Sequence, residues 1–149
     1  MIQLRSIIKP ADNCGAKSVQ VVHIYKGHFH KKGTIGDTVL ETYANIMRSN
    51  VPGSDYLARI GGDEFAIILP EVTDKENVIM VARKIINKLI MPYTILNTEK
   101  VIGTSIGIAS YPKDADNMDS LLQKADKAMF RAKSHGKNNY KFYNDSYTI

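Results

Sequence analysis

The sequence predicts an α/β (α+β) domain, one mixed sheet packed with helices. Three observations predict it. Short apolar runs rich in β-branched residues alternate with longer stretches whose apolar residues recur at helical spacing. Turn-forming residues, among them VPGSD, Gly61-Gly62, Pro92 and Gly136, separate these runs. The chain has 149 residues, 44% hydrophobic and 23% charged. That is long enough for one real core and too apolar for a disordered tract. Alternation of strands and helices then favours a sheet covered by helices.

The elements follow in order. QLRSIIK (3–9) and SVQVVHIYK (18–26) read as strands separated by the turn-like ADNCGAK. From Gly36, GDTVLETYANIMRSN sets Val39, Leu40, Tyr43, Ile46 and Met47 on one helical face, and VPGSD ends that helix. DYLARI and EFAIILP read as a hairpin across Gly61-Gly62, a dipeptide suited to a tight turn because glycine tolerates positive φ. Thr73 and Glu76 have the spacing of a capping box. They open a helix with Val78, Val81, Ile85, Ile86 and Leu89 on one face. KVIGTSIGIAS (100–110) reads as a strand, and SLLQKADKAMFRAK (120–133) as an amphipathic helix stopped at Gly136. NYKFYN (139–144) reads as a last, packed edge strand.

Composition narrows the function classes. No apolar run approaches the ~20 residues of a membrane span. The opening MIQLRSIIKP is too short in apolar residues for a secretory signal. A single Cys14 excludes an internal disulfide framework and reads as a small turn residue. A cytosolic protein with no membrane contact is the expectation. The charge is uneven: residues 1–35 carry six Lys/Arg (Arg5, Lys9, Lys17, Lys26, Lys31, Lys32) against Asp12, and the remainder is balanced. Such asymmetry fits contact with a polyanion, and equally a solvated basic loop. His23, His28 and His30 lie close in sequence, but no cysteine or acid is spaced to complete a metal site. GTIG (33–36) lacks the lysine of a phosphate-binding loop.

The residues that carry chemistry follow the glycine pair. Asp63 and Glu64 come directly after the turn, and consecutive strand side chains face opposite ways. One carboxylate can face a site while the other braces it. Magnesium is commonly held by one or two carboxylates together with substrate phosphates and water. That arrangement suits phosphoryl transfer. Acidic residues also follow plain glycine turns, so the pair alone leaves both readings open.

The wider pattern adds a resemblance. ARIGGDEFAIILP, TSIGIASYPKDA, LLQKADKAMFRAKSHGKNNYKF and the upstream IGDTVL resemble, in the same order, blocks of the GGDEF family of diguanylate cyclases, over about residues 36–144. The resemblance implies a palm-like, ferredoxin-related sheet. It also implies Mg²⁺-dependent joining of two GTP molecules into cyclic di-GMP by a homodimer. By the same resemblance Asp63 is the metal-binding and catalytic carboxylate and Glu64 its catalytic neighbour. Gly61 and Gly62 form the turn that lets GTP approach the backbone. Asp37 accepts hydrogen bonds from the guanine edge, a role for an acceptor-only side chain. Lys133 and Lys137 hold the phosphates, although cations at a helix end also suit its dipole. Lys137 stands where the family usually has arginine, which keeps the charge and loses the bidentate fork.

The departures from the family lie upstream. Counting back from Asp37, the first-strand metal aspartate falls at Gln20 and the guanine-reading asparagine at His28. The expectation is a cyclase with poor or no activity, or a non-catalytic nucleotide-binding or scaffold module. The family's inhibitory Arg-x-x-Asp reads PGSD, leaving Asp55 and Arg83 as its remnant. The leading MIQLRSIIKPADNCGAKSVQVVHIYKG instead resembles the start of large-subunit ribosomal protein L-fourteen, which implies RNA binding through residues 1–35. The expectation is a hybrid. Residues 1–35 would be a basic β segment in place of the family's own N-terminal part, joined near the shared Gly36-Asp37 to an N-terminally truncated GGDEF domain, 36–149.

Overall fold

The computed structural model describes residues 19–26, 34–51, 56–70, 72, 74–95, 97–101 and 103–144. For 19–26, 34–39, 95, 98 and 100 it describes the backbone course alone. Among the described residues seven strands and three helices run in the order β1 (Val19–Lys26), α1 (Thr34–Asn50), β2 (Tyr56–Arg59), β3 (Glu64–Pro70), α2 (Lys75–Leu89), β4 (Tyr93–Ile95), β5 (Thr98–Lys100), β6 (Thr104–Tyr111), α3 (Met118–Ser134) and β7 (Asn139–Phe142). Five strands form one sheet in the order β2-β3-β1-β6-β7. All neighbours are antiparallel except β6 and β7, which are parallel. The sheet is therefore mixed, as the alternating elements predict.

The central strand comes from the basic leading segment. β1 pairs with β3 from Val19↔Pro70 to Tyr25↔Glu64 and with β6 from Val19↔Tyr111 to Lys26↔Thr104. Both of its edges are thus occupied along nearly its whole length. Its β-branched content suits such a position.

Strand alternation divides the apolar residues between two faces. On one face Phe65, Ile67, Leu69, Ile106 and Ile108 pack with Leu40, Tyr43 and Met47 of α1 and with Val78, Ala82, Ile85, Ile86 and Leu89 of α2. On the other, Ala109 and Ile68 pack with Leu121 and Ala125 of α3. That second helix seats very close. A methyl group built on Gly107 would stand 2.0 Å from the Ala125 carbonyl oxygen and 2.2 Å from the Met129 nitrogen. Only glycine fits there.

Several boundaries differ from the sequence reading. α1 begins at Thr34, two residues earlier than the pattern indicated. The N-cap of α2 is Asp74, whose carboxylate accepts from the Glu76 N–H at 2.9 Å. A carboxylate caps as well as Thr73 would, and one position closer to the helix. On α2, Ala82 is fully buried while Val81 is only half-buried. The β4-β5 hairpin has strands too short to show alternation in the sequence. Its turn uses Asn97 at φ 59°, a residue that tolerates the left-handed region. α3 is capped by Asn117, which accepts from the Ser120 N–H at 2.9 Å, and it ends before Gly136 at φ 105°. Among the described residues no helix is long and apolar enough to cross a membrane. The strand expected at 3–9, Cys14, His28, His30 and Asp55 lie outside the described residues.

Candidate functional site

The register gathers four strand ends at one edge of the sheet. Glu64 on β3 pairs with Tyr25 on β1, Tyr25 with Ser105 on β6, and Ser105 with Asn139 on β7. The row from Glu64 to Asn139 crosses three strand spacings, about 14 Å. The turn 60–63 stands at one end of this row and the turn after α3 at the other. Gly61, Gly62, Asp63, Glu64 and Lys137 are thereby brought to one edge, with Lys133 in the last turn of α3 just before it.

The acidic turn is closed by the Ile60 and Gly61 N–H groups, which donate to the Glu64 carbonyl at 2.9 and 3.4 Å. Arg59, the last residue of β2, folds over it. Its Nε donates to the Gly61 carbonyl at 3.2 Å and its Nη2 to the Gly62 carbonyl at 2.7 Å. The space at Gly61 is tight. A methyl group there would stand 3.1 Å from Glu64 Oε2, so the carboxylate lies over the Gly61 backbone. Among the described residues, the glycine that does occupy the left-handed region is Gly136.

Below the turn lies Tyr43 of α1. Its side chain is fully buried, its ring centroid is 5.8 Å from that of Phe65, and its hydroxyl has no hydrogen-bond partner at good geometry among the described residues. Burial pushes its pKa above the ordinary tyrosine value. The nearby Thr104 side chain opposes the rise, and the Asp63 charge adds to it. Asp63 therefore sits within electrostatic reach of a buried phenol.

The cationic side is held by asparagines. Lys137 and Asn138 lie at φ 60° and 50°, and the Asn138 carboxamide oxygen accepts from the Thr104 N–H at 2.9 Å. Asn139 Nδ2 donates to the His135 and Lys137 carbonyls, each at 3.2 Å. Lys137 is exposed and Lys133 half-buried. Asp37 falls in the first turn of α1, six residues before Tyr43, or about 9 Å along the axis. Its side chain is outside what is described.

One sequence assignment moves. Gln20 does not stand opposite the acidic turn; it pairs with Leu69 and Ser110, about 16 Å along β1 from the Tyr25–Glu64 pair. The count back from Asp37 took the connection between β1 and α1 to have the family's usual length. The residues of β1 nearest the turn are Tyr25 and Lys26. Arg83, assigned to the inhibitory-site remnant, lies away from this edge. It lies on the exposed side of α2 with Met80, Lys84, Asn87 and Met91, in an open groove of about 560 Å³. Among the described residues no group of three His, Cys, Asp or Glu side chains could hold a metal ion. The turn itself offers two carboxylates, from adjacent residues. Nothing local in the sequence signals that Arg59, Thr104 and Asn138 each reach a turn.

Comparison with known proteins decides the family. The family model described as diguanylate cyclase, GGDEF domain, matches residues 30–139, from before α1 to the start of β7. The chain belongs to the GGDEF domain family. Among its relatives, this GGDEF domain is 38% identical over 112 residues to the bifunctional diguanylate cyclase/cyclic di-GMP phosphodiesterase MucR of Pseudomonas aeruginosa, covering 75% of the chain and 16% of MucR. It is 42% identical over 113 residues to the signaling protein YkoW of Bacillus subtilis, covering 75% of the chain and 14% of YkoW. The chain thus spans about one sixth of the length of these relatives. Among solved structures, an EAL/GGDEF domain protein from M. capsulatus superposes with a TM-score of 0.81 at 38% identity, over 89% of this chain and 88% of that one. The GGDEF domain of TpbB (YfiN) from Pseudomonas aeruginosa gives 0.79 at 31% identity, over 84% and 81%.

Proposed function

We propose that this GGDEF domain takes a guanine nucleotide at the acidic turn and forms cyclic di-GMP poorly or not at all. One observation carries the reading. β1 supplies Tyr25 opposite Glu64, and nowhere along Val19–Lys26 does it contain a carboxylate. The Asp63 carboxylate, with Glu64 as its neighbour, fits a magnesium ion if nucleotide phosphates and water complete its shell. When bound, the ion would neutralise phosphate charge and lower the pKa of the attacking hydroxyl. A competent site would draw a further carboxylate from the neighbouring strand. Loss of one well-placed electrostatic group commonly costs ~10²–10³ in rate.

In this reading Gly61 and Gly62 admit the nucleotide to the backbone, Lys133 and Lys137 neutralise its phosphates, and Asp37 accepts from the guanine edge. Two subunits would be needed for cyclisation. Arg83, with Asp55, is the remnant of an inhibitory site. The test is incubation with GTP and Mg²⁺, with cyclic di-GMP measured by mass spectrometry and GTP binding measured in parallel. Binding with little or no product is expected. Turnover at the rate of a competent domain, abolished in Asp63→Ala, would overturn it, and absence of GTP binding would leave a scaffold module.

A second reading rests on charge. Six cations against one acid in residues 1–35 fit an RNA-binding segment of separate origin from 36–149, with β1 built into the sheet. Replacing Arg5, Lys9 and Lys17 by serine should then remove salt-sensitive RNA binding. Unchanged RNA affinity in that variant would reject it.

A further inference from the structure

We propose that Arg59 is a positioning residue that aims two backbone N–H groups of the acidic turn at an anionic oxygen of the nucleotide. The inference rests on the nucleotide reading above. Arg59 Nε and Nη2 hold the carbonyls of Gly61 and Gly62 at 3.2 and 2.7 Å. In a trans peptide the N–H points opposite to its C=O. Both peptide units here are trans, the cis bond among the described residues being Tyr111-Pro112. The Gly62 and Asp63 N–H groups therefore both point away from the guanidinium. Neither has a protein acceptor among the described residues, whereas the Ile60 and Gly61 N–H groups are taken by the Glu64 carbonyl. Successive N–H groups turned the same way form a concavity that binds anions.

Arginine suits this task because its planar fork holds two acceptors in fixed geometry, which a lysine ammonium cannot reproduce. Without it, each glycine peptide plane is free to rotate, since no side chain restricts it. The donors would then have to be ordered at the moment of binding, at a cost in affinity. Arg59 itself lies on the far side of the turn and acts through the backbone, so it need not touch the nucleotide.

The experiment uses the full chain as wild type, Arg59→Lys and Arg59→Ala, with ¹⁵N NMR. Without ligand, Arg59→Ala should lower the order parameters of Gly61, Gly62 and Asp63 while β3 and β6 are unchanged, and Arg59→Lys should fall between. With GDP and Mg²⁺, the Gly62 and Asp63 amides should shift in the wild type. Affinity should fall about tenfold in Arg59→Ala, and affinity for guanosine, which lacks phosphate, should not change. Unaltered turn order in Arg59→Ala, or equal losses for guanosine and GDP, would overturn the assignment. If wild type binds neither ligand, the nucleotide reading and the donor assignment both fall. The relaxation data would still decide whether Arg59 holds the turn.

Discussion

Gly107→Ala tests how α3 is seated, and through it the placement of Lys133. The added methyl would meet the Ala125 oxygen at 2.0 Å, the Met129 nitrogen at 2.2 Å and the Met129 Cβ at 2.7 Å. The shortest contact falls roughly 1.4 Å below ordinary van der Waals separation. Two of the three atoms are helix backbone, so no rotamer change relieves them. Either α3 lifts from the sheet or β6 bows. A radial gap of 0.5–1 Å already forfeits a quarter to a half of each contact, and Leu121, Ala125, Ala128 and Met129 all lie on the buried side of the helix. Overpacking of this kind costs about 1–3 kcal/mol, and the backbone clash places the expectation at ~3 kcal/mol or more. Urea unfolding followed by circular dichroism measures it. A loss below ~0.5 kcal/mol would show that α3 does not rest on Gly107. Gly136→Ala is the companion measurement. Nothing stands within 4 Å of a methyl there, yet φ is +105°, so a cost of ~1 kcal/mol from backbone strain alone is expected.

Other variants probe the site and its supports. Tyr43→Phe removes a buried hydroxyl that has no partner at good geometry among the described residues, with the Thr104 side chain close by, and should leave stability unchanged or raise it, by up to ~1–3 kcal/mol; a clear loss in urea would mean that the phenol has a partner. The unfolded chain releases the phenol proton near pH 10.0, while the folded one keeps it to higher pH. Stability should therefore fall as pH rises beyond 10, by about 1.4 kcal/mol per unit, and Tyr43→Phe should remove that share of the slope. Gly61→Ala must displace the Glu64 carboxylate, so nucleotide affinity should drop with stability held within ~1 kcal/mol; equal affinity would mean that Glu64 is free to move. Asp74→Ala deletes the N-cap of α2 and should cost ~1 kcal/mol in urea unfolding.

Where the sequence and the structure agree, the reason is periodicity. Val78, Ile85, Ile86 and Leu89 recur at helical spacing and are all buried, and EFAIILP is a short apolar run of strand length, with Phe65, Ile67 and Leu69 facing the main core. Strong patterns of this kind hold whatever the rest of the chain does. β4 and β5 are too short to show one, and at the start of α2 two neighbouring residues could both cap. The carboxylates after the glycine pair were legible because the motif is contiguous.

The sequence by itself determined the family, the helices, the hairpin and the acidic turn, because each is written in residues close along the chain. Only the tertiary structure decided which residue of β1 meets that turn. Ladder pairing set Tyr25 against Glu64 and moved Gln20 some 16 Å away. It also decided that Arg59 reaches two carbonyls, that Asn138 ties the lysine turn to Thr104, and that Tyr43 is buried beside Asp63. Strand register is a property of pairs of segments, fixed by which faces bury together, and no count along one chain contains it.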